Sequence, residues 1–265
     1  MRTQARCAAL SLIALIAPIV TASAAEIVYQ PGKVDKTEAR APIIKLKGEI
    51  DNDAIVEFSH YAALADANAK KLGFIVEDQP HGLVTVELDS PGGGMMAGME
   101  IGMKMRRMNF GARVPKGAVC ASACVFLLAG GVSRSVEGRV GIHRQYVKDD
   151  DLVTPEQQRA SYAEDEKLIK AYYKAVNIPT TLYDRQLRIP GNEIVWLSKS
   201  ELQTYGLDGD DPYYYEAMNA AVAKKHGLTK FEFSQVVSSA KKICNNPKTA
   251  FACVQRLLAE RASKK

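Results

Sequence analysis

The sequence predicts an α/β domain built on a largely parallel sheet, followed by a small helical appendage. Two observations carry this reading. Between residues 43 and 211, short Val- and Leu-rich runs bounded by glycine or proline alternate with longer stretches of helical apolar period, as expected of repeated β-α units whose helices cover a sheet. From Pro212 onward the strand signal stops and helical stretches follow at 213–225, 230–244 and 247–261. The chain's 265 residues, 47% of them apolar, are enough for one large domain and an appendage.

The N-terminus stands apart. Arg2 and Arg6 precede an apolar run over 7–20, and Ala22-Ser23-Ala24-Ala25 follows, so 1–25 reads as a signal peptide cleaved after Ala24 or Ala25. The run is shorter than the roughly 20 apolar residues of a membrane span, and Pro18 interrupts it. The expected location is therefore the periplasm of an exporting cell. Loss of two arginines and no acid takes the formal charge from +5 to +3, which does not argue for a nucleic-acid partner.

The polar segment 26–42, with Pro31-Gly32 and no sustained period, reads as an extended arm. A short strand at 43–46 leads through Gly48 into a helix capped by Asp51 or Asn52 and running to about residue 72, with Ile55, Phe58, Ala62 and Ala65 on one face. Residues 83–88 form an apolar run that fits a strand largely buried in a parallel sheet. A helix at 95–108 carries a methionine stripe that reads as core filling. One strand at 112–119, a small apolar helix at 121–129 ended by Gly130-Gly131, and strand material over 134–142 come next. Thr154-Pro155-Glu156-Gln157 combines an N-cap, a proline at the first helical position and a capping-box partner, and opens a long helix to about residue 176. A short helix at 184–187 precedes a second capping box, Ser198 to Glu201, whose helix Gly206 closes. The domains are thus the leader 1–25, the arm 26–42, the α/β domain 43–211 and the helical region 212–265.

Cys7 leaves with the leader, and four cysteines in an exported chain suggest two local disulfides. Cys244 and Cys253 flank the turn at Asn245-Asn246-Pro247, so their bridge would staple a helical hairpin and contribute about 2 to 3 kcal/mol. Cys120 and Cys124 straddle Ser122. They either bridge and pin the turn that presents this serine, or Cys124 is a small core residue of the helix.

Ser122 stands where a strand meets a helix, between Ala121 and Ala123, so its neighbouring amides are the unpaired donors of a helix N-terminus. His143 emerges at the end of an apolar strand, and the turn Ser90-Pro91-Gly92-Gly93-Gly94 ends another. A hydroxyl, an imidazole and a glycine turn could supply a nucleophile, a base and an oxyanion cradle. Each alone is ordinary as a cap, a surface histidine or a turn. Gly92-Gly93-Gly94 lacks the spacing of a dinucleotide fingerprint, and no metal or cofactor is expected.

Taken in order, these motifs resemble the proteolytic subunit of Clp protease and its relatives in the crotonase-like superfamily. That family has a Ser-Pro-Gly-Gly turn after a strand, a nucleophile in an Ala-Ser before an apolar helix ending in Ala-Gly, and a base in a Val-x-Ile-His strand. Here stand Ser90-Pro91-Gly92-Gly93, Ala121-Ser122 with Ala129-Gly130, and Val140-Gly141-Ile142-His143. The resemblance extends through Trp196-Leu197-Ser198, Glu201 and Tyr205-Gly206-Leu207, and so covers 43–207. It implies a ClpP/crotonase-like spiral of β-β-α units and a serine peptidase with Ser122 as nucleophile, His143 as general base and the amides of Gly93 and Ala123 as oxyanion hole. The serine-to-histidine spacing is a few residues shorter than the family's, which a tight hairpin around 136–138 would absorb. The family's aspartate position, two residues before the closing aromatic, holds Ile194. Glu193 is the first substitute for this orienting residue, Asn192 the second and Asp184 a more distant third. The resemblance also implies a peptide or protein substrate and a homo-oligomer packed through the 155–176 helix. Export removes the ATP supply of an unfoldase partner, and with it coenzyme A for a crotonase-type reaction. The rival reading is a catalytically silent scaffold that binds without turnover.

Overall fold

The computed structural model describes residues 24–35, 38–74, 84–145, 154–244 and 250–263. Most of the expected leader, Cys7, Leu83 and the turn at Asn245-Asn246-Pro247 lie outside the described residues. No helix among the described residues is long and apolar enough to cross a membrane.

The segment read as an arm holds a strand, β1 (Glu26–Gln30), and a small hairpin of β2 (Lys33–Val34) and β3 (Ala39–Arg40). β1 pairs antiparallel along the whole of β4 (Ile43–Lys47). The sequence signal was weak because β1 is an edge strand whose side chains alternate poorly between core and water. Next come α1 (Asn52–Lys71), capped by the Asp51 carboxylate on the Ala54 amide, then β5 (Thr85–Asp89) and α2 (Met95–Arg107).

The single strand expected at 112–119 is two, β6 (Gly111–Val114) and β7 (Val119–Ala121), separated by Pro115 and Gly117. After α3 (Cys124–Gly130), the strand material of 134–142 likewise divides into β8 (Ser133–Val136) and β9 (Arg139–Ile142). These are not a hairpin, because β8 pairs with β6 and β9 with β7, both parallel and in different sheets. Then follow α4 (Pro155–Ala175), α5 (Thr181–Leu187), β10 (Val195–Trp196), α6 (Lys199–Thr204) and β11 (Gly209–Asp210). Both expected capping boxes form.

The larger sheet runs β1-β4-β5-β6-β8-β11, parallel across its four inner strands and antiparallel at both edges. The smaller one runs β10-β9-β7 and is continued by isolated bridges from Ser90 to Cys120 and from Ile50 to Gly93. Each turn of the chain thus lays down a strand in the large sheet, then a strand or bridge in the small one, then a helix. This is the expected mixed α/β architecture with repeated β-β-α units.

One expectation about the sheet needs correction. β5 alternates instead of being buried throughout: Val86 and Leu88 are in the core, while Glu87 faces the other way and pairs with Lys45 and Arg113 on the flanking strands. Arg113 in turn holds Glu137 at 2.7 Å. A ladder of opposite charges lets this face meet water, so helices are needed on one face only. On the covered face α2 and α3 pack closely because Gly98 and Gly102 lack side chains. A Cβ on them would lie 2.7 Å from the Ala123 carbonyl oxygen and 2.6 Å from that of Phe126. Met99 and Met105 fill the core beside them, as the methionine stripe implied.

The appendage consists of α7 (Pro212–Lys225), α8 (Lys230–Ile243) and α9 (Ala250–Ala262) around a small core of its own, and the Cys244–Cys253 disulfide ties α8 to α9. It is anchored by a buried charge network. Asp211 caps α7 through the Tyr214 amide and accepts hydrogen bonds from Arg106 and Asn177, with Arg134 3.8 Å away. Arg134 donates to the carbonyls of Ala129, Val176 and Gly206, so one guanidinium ties the ends of three helices together.

Candidate active site

Parallel pairing brings the expected residues together. β7 and β9 align Cys120 with Val140 and Ala121 with Gly141. Ser122 and His143 are the first residues beyond these two strands and therefore leave them at the same, carboxyl end. The Ser90–Cys120 bridge places the Pro91-Gly92-Gly93-Gly94 turn at that end too. Carboxyl ends of parallel strands are where α/β folds form ligand crevices. A cleft of about 640 Å³ opens there, and its wall includes Ser122, Ala123, His143, Gly92, Gly93 and Asn192.

Ser122 has φ = 55°, the left-handed conformation, which costs a residue with a Cβ about 1–2 kcal/mol. The surroundings impose it. The Ser122 amide donates to the Gly141 carbonyl, the Ala121 amide to Ser90, and the Val125 amide to Ser122 itself. Across this turn Cys120 and Cys124 form a disulfide, both fully buried. Such a strained strand-to-helix turn exposes a nucleophile's hydroxyl above the sheet. Gly92 (φ = 114°) lies against it, and a Cβ there would be 2.6 Å from that of Ser122.

The donors are also in place. Ile50 holds the glycine turn from behind, donating to the Gly92 carbonyl and accepting from the Gly94 amide, both at 2.7 Å. The intervening Gly93 amide and that of Ala123, at the start of α3, have no acceptor among the described residues. Two such amides in one cleft, beside a serine hydroxyl, are what an oxyanion hole requires.

His143 is half-buried, with its Nδ1 2.7 Å from the Arg144 carbonyl oxygen. A carbonyl only accepts, so Nδ1 carries the proton and Nε2 is the basic atom of the neutral ring. β10 pairs Val195 with Ile142 and Trp196 with Gly141, and continuing that register sets Ile194 opposite His143. Gly141 lets this strand lie close, since a Cβ there would be 2.6 Å from Ile194 and 2.8 Å from the Trp196 ring. Of the substitutes for the orienting residue, Asn192 lines the cleft, Glu193 is exposed and outside its wall, and Asp184 is on the exposed face of α5.

The sequence reading missed the rest of the wall. Met95, Phe126 and Ile169 give it an apolar floor. Gln145 donates to the Tyr183 hydroxyl, and the buried Gln186 accepts from that of Tyr173. Burial raises both phenols, so they stay neutral and fix the two carboxamides. Glu49 is the one carboxylate in the wall among the described residues, which include no lysine or arginine there. Gln186, in α5, and Gln145, in the irregular chain after β9, leave no sequence signal, because a glutamine is ordinary on a solvent face.

No family model and no curated protein matches the chain. Solved structures do. One is a mutant of ClpP1 from Listeria monocytogenes, 15% identical, with a TM-score of 0.43 over 65% of this chain and 93% of that one. Another is a mutant of the membrane-bound stomatin-specific protease 1510-N, 18% identical, with a TM-score of 0.43 over 66% of this chain and 82% of that one.

Proposed function

We propose that the protein is an exported, periplasmic serine hydrolase acting on peptide bonds. The observation that carries this reading is Ser122, held in the left-handed conformation in one cleft with His143 and two amides that have no acceptor among the described residues. Ser122 Oγ attacks the scissile carbonyl while His143 Nε2 takes its proton. The resulting oxyanion accepts hydrogen bonds from the amides of Gly93 and Ala123. Collapse of this intermediate expels the amine, which receives the proton from His143, and water then hydrolyses the acyl-serine by the same route. The Arg144 carbonyl holds the ring in the required tautomer, and Asn192, in the same cleft wall, is the orienting candidate the sequence named that could assist it. Two disulfides fit an oxidising compartment, and α4, exposed along its first half, offers a face for self-association.

The test is labelling of the mature protein by a fluorophosphonate probe beside its Ser122→Ala form. Labelling of the parent alone is expected, and equal absence of labelling in both sinks the proposal. A second reading, a silent scaffold that binds peptides, is favoured by Ile194 standing opposite His143 where a carboxylate would stabilise the imidazolium.

A further inference from the structure

We infer that Glu49 makes the cleft selective for peptides carrying a lysine or arginine side chain next to the scissile bond. The inference deepens the peptidase reading and rests on it for the identity of the substrate backbone.

Glu49 follows Gly48, directly after β4. Its neighbour Ile50 makes the two 2.7 Å hydrogen bonds that hold Gly92 and Gly94. Gly93 packs so tightly there that a Cβ would lie 2.1 Å from the Ile50 carbonyl oxygen. The Glu49 backbone and the glycine turn are therefore one rigid unit, and Glu49 lines the same cleft as Gly93 and Ala123. The side chain is solvent-accessible and has no hydrogen-bond or ion-pair partner among the described residues. Glu87 pairs with Lys45 and Arg113, Glu137 with Arg113 and Asp208 with Lys199, whereas Glu49, like the exposed Glu57 and Glu193, has no ion pair among the described residues; what sets Glu49 apart is its place in the cleft wall. A carboxylate without a partner among the described residues, in a concave wall whose described residues include no lysine or arginine, concentrates cations. The apolar floor of Met95, Phe126 and Ile169 suits the methylene stem of a lysine or arginine whose charged head stays at the wet rim near Glu49.

The pair forms at a solvent-accessible site, so the expected preference is modest, about fivefold, and salt-sensitive. The probes are fluorescent neutral peptides differing only in whether one residue is lysine or norleucine, placed in turn on either side of the scissile bond. Binding is measured by anisotropy on the Ser122→Ala form, so the result does not depend on turnover. At one position lysine should bind about fivefold tighter than norleucine. Glu49→Gln, made in the same background, should bring that ratio close to one, and Glu49→Lys should invert it. Ratios within twofold at every position, or a lysine preference that survives Glu49→Gln, overturn the inference. Fluorophosphonate labelling tests the nucleophile separately. A lysine preference without labelling would uphold Glu49 as the selector in a binding protein while refuting the hydrolase.

Discussion

Replacing Asp211 by alanine should destabilise the α/β domain and its appendage together. The carboxylate is 1% exposed and accepts hydrogen bonds from Arg106, Asn177 and the Tyr214 amide, which makes it the N-cap of α7. Its removal leaves Arg106 and Arg134 as buried cations with no other carboxylate partner among the described residues. Breaking a buried pair from one side costs about 3–5 kcal/mol, and a lost N-cap about 1 kcal/mol. The two effects share one residue and do not simply add, so a loss of about 4 kcal/mol is expected. For a chain of this size that is a fall in Tm of about 8–16 °C. Asp211→Asn keeps the shape and the cap but not the charge, and should fall between parent and alanine variant. The pH dependence gives a second reading. Burial pushes the Asp211 carboxyl up, but the hydrogen bonds from Tyr214, Arg106 and Asn177 more than offset this and leave it below the usual carboxylate range. A lowered folded-state value means that the stabilisation is complete above the unfolded value of about 3.9 and is lost as pH falls through the folded one. In urea titrations the gap between parent and Asp211→Asn should therefore narrow between about pH 5 and pH 2. A Tm change under about 3 °C for the alanine variant, or a gap independent of pH, would refute the assignment of the network as an electrostatic anchor.

Two further substitutions probe the turn that presents Ser122. Gly92→Ala combines a disfavoured φ of 114° with backbone and Cβ atoms at 2.6–3.0 Å, so fluorophosphonate labelling should fall by more than about tenfold, and parental labelling would show that the glycine turn does not shape the site. The disulfides should open in order under dithiothreitol without denaturant. Cys120 and Cys124 are fully buried, whereas Cys244 and Cys253 are half-exposed, so mass-mapped alkylation should mark the second pair first. The double variant Cys120→Ala/Cys124→Ala should lose about 2 kcal/mol in urea unfolding, and a loss below about 0.5 kcal/mol would mean that the turn holds without its bridge.

The helices and parallel strands of this chain were legible where a local rule fixed them. Thr154 to Gln157 and Ser198 to Glu201 are capping boxes whose hydrogen bonds lie within four residues of chain, and both form. The strand at 112–119 was misread because the break signal at Pro115-Lys116-Gly117 was passed over, and that the two halves join different sheets is decided by partners far away in sequence. The same limit hid β1, whose partner comes after a hairpin, and the Arg134–Asp211 network, whose members are spread from residue 106 to 214. Ser122, His143 and Gly93 could be singled out because each lies at or just after a strand end, and the fold brings the three into one cleft wall. Glu49, Gln145 and Gln186 were not, since nothing in their local sequence says that they face a cleft.

The geometry also bears on how far this serine is armed. In a triad the third residue sets the histidine tautomer and stabilises the imidazolium, and these tasks separate here. The Arg144 carbonyl performs the first, because an acceptor at Nδ1 is enough to place the ring proton there. It brings no net charge for the second, and the strand register gives the adjoining position to Ile194, 44% exposed, with Asn192 in the same cleft wall. The backbone features that are hardest to keep without use, a serine at positive φ, a glycine turn fixed by Ile50 and a disulfide across the Ser122 turn, are all present. They favour the proposed hydrolase over the silent scaffold, since a scaffold selected only for binding gains nothing from the strained serine.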